Sequence, residues 1–324
     1  MINISLKRVE EREEMIMEII GVDNGYGFTK TASHVFMTSL TTFGEDQPPI
    51  SNEVIKYNGC YYGVGTEHKK AIADKTADEE TFILTLVAIA KELQCRGGKT
   101  DEEVVLAVGL PLSRTKGKVK DRFQEYFTSR NDVTFEYEGV PYHIVLKDVM
   151  VLPQCLAGIC NLLADKKIKA PSVVIDIGSW TTEIVKIGKN RETNSPMVTP
   201  DFTTIDYGII NCLNKCKAEI YAEYGKKPQD SQIQEVLQGN VGALPNKYSD
   251  IIIDVTREYV KEIIQAVEEL DYDLETLPAT LMGGGASIVK RYSNPDWFCD
   301  VAYILNVKAN ALGYEQLAKQ KLSK

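Results

Sequence analysis

The sequence predicts an α/β protein with parallel strand pairing, built from two similar halves. Three observations carry that reading. Three short apolar runs, MEIIGVDNGYG (17–27), VVLAVGLPLS (104–113) and PSVVIDIGSW (171–180), share one shape, a strand ending in Asp or Gly and then a helical pattern. Continuous β-branched runs of this length are central strands buried on both faces. Between them lie helical patterns, TFILTLVAIAKELQ (81–94), KGKVKDRFQEYFTSR (116–130) and PQCLAGICNLLADKK (153–167), and alternation of this kind favours parallel pairing. Glycine motifs then recur at 23–27 and 176–178, each after an apolar strand and roughly 150 residues apart, which predicts two related halves facing each other.

The remaining elements follow in chain order. EVIKYNGCYY (53–62) predicts a hairpin turning at Asn58-Gly59, and VTFEYEGVPYHIV (133–145) predicts a second. After Thr204 come amphipathic helices, IINCLNKCKAEIYAEYG, DSQIQEVLQGN and a long one from about 249 to 270. TLMGGGASIV (280–289) then gives a strand, a triple-glycine turn and a helix start. MINISLKRVEEREEMIMEII mixes charge with apolar residues, so residues 1–16 are expected to be an extension without a catalytic role, not a signal peptide.

Bulk properties exclude several classes. The chain has 324 residues, 44% hydrophobic and 26% charged, the balance of an ordinary globular chain. A net charge of −9 argues against direct contact with nucleic acid, which needs a basic face, although an adaptor protein with such a face remains compatible. No run approaches the roughly 20 apolar residues of a membrane span. Seven cysteines, an odd number with no CxxC pair, fit a reducing, cytoplasmic location. Cys212 and Cys216 share a helix face and read as small core residues rather than a metal half-site. The three histidines, His34, His68 and His143, are isolated and suggest no metal or triad.

The chemistry resides in the turns. A glycine-rich turn at a strand's carboxyl end lets backbone N–H groups approach phosphate oxygens. Asp23 at the first strand tip can hold Mg²⁺ through its water shell, and Lys30 can reach a phosphate as a point charge. For that motif alone, a plain β-hairpin with a solvated lysine is an equal alternative. The second turn, IDIGSWTTEIV, repeats the logic with Asp176, Gly178, Ser179, Thr181 and Thr182, and Trp180 is expected to pack rather than to wall the phosphates. The third, Gly283-Gly284-Gly285, offers room for a flat base and ribose.

These motifs resemble the phosphate and adenosine loops of the actin, heat-shock chaperone and sugar kinase ATPases, in the same order and across roughly residues 17 to 315. AVGLPLSR (107–114), VLPQCLAGI (151–159) and KANALGYEQL (308–317) narrow the resemblance to bacterial plasmid-segregating actins of the ParM type. The resemblance implies an actin-like (ribonuclease H-like) fold of duplicated domains with a nucleotide cleft between them. Domain I would span 17–168, with a small subdomain at about 34–100. Domain II would span 169–324, with a helical subdomain at about 212–275 and a final helix packing back on domain I.

It also implies roles. Asp23 and Asp176 would organise Mg²⁺. Asn24, Gly25, Tyr26, Gly27, Lys30, Gly178, Ser179 and Thr181 would surround the phosphates of ATP or GTP. Gly208 would be a nucleotide contact or a plain helix-start turn, and Gly283, Gly284 and Gly285 would lie under the adenosine. Gln154 would orient the attacking water. A glutamine stands there where the plasmid family prefers glutamate, and an amide cannot act as a base, so hydrolysis is expected to be slow. The implied activity is nucleotide hydrolysis coupled to filament assembly, segregating plasmid DNA through a ParR-like centromere-binding adaptor, with no direct contact to nucleic acid or membrane. A small-molecule kinase of the same fold, pantothenate or sugar kinase-like, is the alternative.

Overall fold

The computed structural model describes residues 17–48, 53–65 and 75–323, so the 1–16 extension and His68 lie outside the described residues. The first half opens with β1 (Glu18–Asn24), β2 (Phe28–Lys30), β3 (Val35–Met37), β4 (Leu40–Gly44), β5 (Val54–Tyr57) and β6 (Cys60–Val64). Helix α1 (Glu80–Arg96), β7 (Asp101–Leu110), α2 (Lys118–Thr128), β8 (Asp132–Tyr137), β9 (Val140–Pro153) and α3 (Leu156–Ala164) follow. These strands form one nine-stranded sheet in the order β3-β2-β1-β7-β9-β8-β5-β6-β4.

The second half comprises β10 (Ser172–Ile177), β11 (Thr182–Lys189), β12 (Pro196–Ile205), α4 (Ile209–Tyr224), α5 (Asp230–Leu237) and α6 (Asn246–Glu268). It continues through β13 (Ala279–Met282), α7 (Ala286–Tyr292), β14 (Val301–Tyr303) and α8 (Ala309–Leu322). Its sheet runs β12-β11-β10-β13-β14. That order matches the β3-β2-β1-β7-β9 part of the first sheet. In each, two antiparallel strands flank a central strand that pairs in parallel with the next, which pairs in parallel with one more. The fold is α/β, with the duplication written into strand order.

Both predicted hairpins form, turning at Asn58-Gly59 and at Glu138-Gly139, where positive φ at all four residues suits an Asn-Gly or X-Gly pair. The 153–167 helix is shorter than its pattern: β9 runs on through Pro153 and α3 begins at Leu156. A larger difference concerns the two acid-tipped strands. Each is followed by an antiparallel strand, β2 or β11, and not by a helix. In FTK the buried Thr29 lies between the less buried Phe28 and Lys30, the period-2 signature of a half-buried strand.

Strands β4 to β6 extend the first sheet through the β5–β8 pairing. Helix α1 buries Phe82, Leu86, Ile89 and Leu93 in the same core as Ile20, Val22 and Val104. Cys212 and Cys216 are fully buried beside Ile252, Tyr259 and Val260 in the core between α4, α6 and the second sheet. Helix α8 crosses to the first half and lies on β1 and β7. Gly21 permits that approach, because a Cβ there would overlap the Ala311 carbonyl, and its N–H donates to Glu315 Oε1 at 3.2 Å. No helix among the described residues is long and apolar enough to cross a membrane.

Candidate functional site

The two central hairpins bring their acid tips to one cleft of about 410 Å³, walled by residues of both halves. Asp23, Gly25, Tyr26 and Lys30 line it from the first hairpin, and Asp176, Gly178, Ser179, Trp180 and Thr181 from the second. Gln154, Gly283 and Gly284 complete the set of sequence-expected residues on its wall. The far end is apolar, with Ile209, Leu213, Leu237 and Ile288, and carries the amides of Gln234 and Gln238. A flat apolar group with polar edges matches that end; charged oxygens match the acid-and-lysine end.

Asp23 is buried at the end of β1. Lys30 stands opposite it in the hairpin register, and its Nζ donates to Asp23 Oδ2 at 3.1 Å. The side chain is therefore neither solvated nor free, which replaces the solvated-lysine alternative. Gln154, at the end of β9, donates from Nε2 to Asp23 Oδ1 at 3.1 Å, so its side chain points into the cleft instead of capping α3. The glycines contribute by their lack of a side chain more than by their amides. The Gly25 N–H donates to the Asp23 carbonyl and the Gly178 N–H to the Thr181 carbonyl, both at 2.9 Å within their turns. A Cβ on Gly25 would strike the Phe28 carbonyl.

Four expected contacts stand away from the cleft wall. The buried Asn24 side chain bonds Thr85 of α1 at 3.1 Å. The Gly27 carbonyl accepts from Thr38 N at 3.0 Å, continuing the β2–β3 ladder. Gly208, at the start of α4, lies so close to the Ser179-Trp180 backbone that a Cβ would overlap it, and its carbonyl accepts from the Tyr259 hydroxyl at 2.8 Å. Gly285 packs against the Ile177 side chain, where a Cβ would collide. Of the three consecutive glycines only Gly284 faces open space; Gly283 makes room for the Asp176 carboxylate.

The structure adds residues that the sequence did not single out. Asn310, on α8, donates from Nδ2 to Asp176 Oδ2 at 3.1 Å, while its Oδ1 accepts from Cys155 N at 3.0 Å. One amide thus ties the last helix, the second-half acid and the start of α3 together. Glu183 is the Cα partner of Asp176 in the β10–β11 hairpin and lines the cleft. Both its carboxylate oxygens are buried without a hydrogen-bond partner. Lys75 donates to the Asn24 carbonyl, and its ammonium stands 5.0 Å from the Tyr26 ring centre. Trp180 does both jobs considered for it. Its backbone packs on Gly208 and its side chain walls the cleft, with Nε1 buried and unpartnered.

Crowding of acids in this dry site shows in their proton affinities. Burial pushes the Asp176 carboxyl up to about 6, opposed by the Asn310 amide and reinforced by Asp23. Burial, then the charge of Asp176, pushes Glu183 up to about 8. Burial pulls the Lys75 ammonium down to about 8 against the attraction of Asp23. Such perturbation in a cleft is characteristic of sites that work on charged ligands. Among the described residues, no three His, Cys, Asp or Glu side chains are already gathered as a metal cage. His143, away from the cleft, bridges Asp101 and Asp132 at 2.9 and 3.0 Å on the surface.

Comparison with known proteins fits this geometry. Residues 21–156 match the family model of the N-terminal domain of actin like proteins. No curated protein matches the chain. Among solved structures, a 15-stranded ParM filament from Clostridium botulinum superposes with a TM-score of 0.74 at 18% identity, covering 94% of this chain and 99% of that one. The archaeal actin homologue Ta0583, in complex with ADP, gives 0.67 at 21% identity over 94% and 100%. An AlfA filament bound to AMPPNP gives 0.59 at 16% identity over 95% and 98%. The chain has the actin-like fold, and its residues 21–156 are similar to the N-terminal domain of actin like proteins.

Proposed function

We propose that this protein is a nucleotide hydrolase that assembles with copies of itself into filaments. The observation that carries the reading is the facing pair of acid-tipped hairpins, Asp23 and Asp176, across one cleft that ends in an apolar, glycine-floored recess. The similarity to a ParM filament, an AlfA filament bound to AMPPNP and an ADP complex supports both halves of it.

The residues fit a magnesium nucleotide, ATP or GTP. Asp176 is buried and Glu183 has two orphaned oxygens, an excess of negative charge that a divalent cation offsets. Asp23 and Asp176 would hold the Mg²⁺, which keeps much of its water. Ser179, Thr181 and the Gly25 and Gly178 turns would line the phosphates, and Gly284 would lie under the nucleoside. When bound, the magnesium nucleotide supplies the electrophilic terminal phosphorus. Gln154, already pointing at Asp23, orients water by hydrogen bonding and takes no proton, which favours slow turnover.

The further step, plasmid DNA segregation through a ParR-like centromere-binding adaptor in the cytoplasm, rests on the resemblance and on charge. A chain of net charge −9 reaches DNA best through a basic partner. The test is addition of Mg-ATP or Mg-GTP to purified protein, followed by light scattering, negative-stain microscopy and phosphate release. Nucleotide-dependent filaments are expected. Hydrolysis that requires an added metabolite, with no polymer, would point to a kinase instead.

A further inference from the structure

Gln154 is aimed into the cleft by the residue that follows it. Cys155 has φ +62° and ψ −58°, and the Leu156 N–H donates back to the Gln154 carbonyl at 2.6 Å. That is a γ-turn of the rare, strained kind, closed within three residues. Glycine adopts such a φ freely, whereas a residue with a side chain holds it only where its surroundings enforce it. Of the non-glycine residues with positive φ among the described residues, Cys155 alone is buried.

The start of α3 does not need this turn. A helix start favours an extended residue whose side-chain oxygen accepts from the first amides; Cys155 is not extended and makes no capping bond. The bonds around it fix instead where Gln154 points. On one side the Gln154 N–H donates to the Leu110 carbonyl, at the end of β7, at 2.9 Å. On the other the Cys155 N–H donates to Asn310 Oδ1 at 3.0 Å. Asn310 is itself held: its Nδ2 donates to Asp176, and α3 and α8 approach so closely that a Cβ on Gly158 would crowd its Oδ1. With the turn pinned from both halves, the Gln154 side chain reaches Asp23 Oδ1. We infer that Cys155 is a positioning residue for Gln154, its strained turn held shut by Asn310 of the last helix. This role rests on the nucleotide reading above, in which Gln154 orients water, and adds the backbone device that aims it.

The test compares phosphate release by the full chain carrying Cys155→Val or Cys155→Gly, with nucleotide affinity measured alongside. Packing and positioning rank the two variants oppositely. Valine fills the buried space but, being β-branched, resists a positive φ. Glycine leaves a cavity but adopts the turn freely. Cys155→Val is expected to release phosphate ~10- to 100-fold more slowly than wild type at wild-type nucleotide affinity, the loss that a misplacement of about 1 Å brings. Cys155→Gly should melt at a lower temperature yet release phosphate faster than Cys155→Val. Equal rates, or the reverse order, overturn the inference while leaving the nucleotide reading intact. A second arm covers a valine variant that does not fold. Asn310→Ala frees the Cys155 N–H, and the fold-loss in release that it causes should shrink in a Gln154→Ala background, where the turn has nothing to aim. Equal losses in both backgrounds overturn the inference. A wild-type protein that neither binds nor hydrolyses Mg-ATP or Mg-GTP overturns the nucleotide reading as well.

Discussion

Gly283 lies against the carboxylate of Asp176 so closely that a Cβ on the glycine would overlap Asp176 Oδ1. Its φ of +83° is in the region that glycine adopts freely and other residues avoid. The third glycine turn thus makes room for the second acid. Gly283→Ala should cost stability through backbone strain, on the order of 1 kcal/mol or more, and should also push Asp176 off its place beside Asn310. The expected outcome is a folded protein whose melting temperature no longer rises with Mg-ATP or Mg-GTP. An alanine variant with the full wild-type nucleotide shift would show that the carboxylate tolerates displacement.

Asp176→Ala removes one of the two facing acids, and turnover should fall steeply while the fold persists, since an apolar residue relieves a crowded, buried charge. Phosphate release at the wild-type rate by the folded variant would exclude Asp176 from the chemistry.

Gln154 bonds Asp23 rather than any phosphate-loop amide, so its loss should act on the barrier more than on affinity. Gln154→Ala should bind nucleotide nearly as tightly, release phosphate more slowly and form filaments that persist longer. Parallel records of phosphate release and light-scattering decay decide this; unchanged release with filaments dissolving on the wild-type schedule removes Gln154 from the site.

The acids and the lysine of the cleft impose opposite pH dependences. Glu183 stays protonated in the folded, cation-free protein up to about pH 8, whereas an unfolded glutamate ionises near 4.5. Between those values the folded state binds more protons, so stability falls as pH rises. Asp176 adds the same sign between 3.8 and about 6. Lys75, titrating near 8 folded and 10.5 unfolded, reverses the slope above pH 8, where the folded state holds fewer protons. Melting temperatures in EDTA should therefore drop from pH 4.5 to 8, and Glu183→Gln should flatten that drop. A variant that keeps the wild-type slope would show that Glu183 is ionised throughout.

How much of this was legible in the sequence depends on how far apart the partners are. Asp23, Gly25, Asp176 and Gly178 were visible because each motif is local, a strand tip and its turn. The strand after each tip was harder to see, because FTK is only three residues long and its pairing with β1 is a tertiary fact. Glu183 sat inside the quoted IDIGSWTTEIV, but only the hairpin register shows that position 183 faces position 176. Asn310 left no local signal: it lies 134 residues from Asp176, and its meaning comes from where α8 docks. Asn24, Gly27, Gly208 and Gly285 belong to the right motifs but face the wrong way, into Thr85, Thr38, Trp180 and Ile177. A motif fixes the loop; packing decides which of its residues meet the ligand.

Arg96 joins distant parts of the chain. Its guanidinium reaches Glu92 Oε2 at 2.9 Å, Glu18 Oε2 at 3.2 Å, the Ile19 carbonyl at 2.9 Å, and Glu315 on α8. Glu92 is fully buried and Glu315 nearly so. Arg96→Ala would take the guanidinium from both, leaving Glu92 its bonds from Thr31 and Ser33 and Glu315 its bond from the Gly21 N–H, at a cost of about 2 kcal/mol or more, below the value for a wholly buried pair because the arginine is partly exposed. A lower urea midpoint at unchanged slope is the expected result, and an unchanged midpoint would mean that water replaces the guanidinium.

The docking of α8 also orders events during synthesis. A growing chain makes Asp23 first and Asp176 much later, and both hairpins can form before residue 310 exists. Until then β1 and β7 lack the helix that lies on them, and Asp176 lacks the amide that holds its carboxylate. A nascent chain therefore passes most of its synthesis without a finished cleft, and partly made copies carry Asp176 without the amide that holds it.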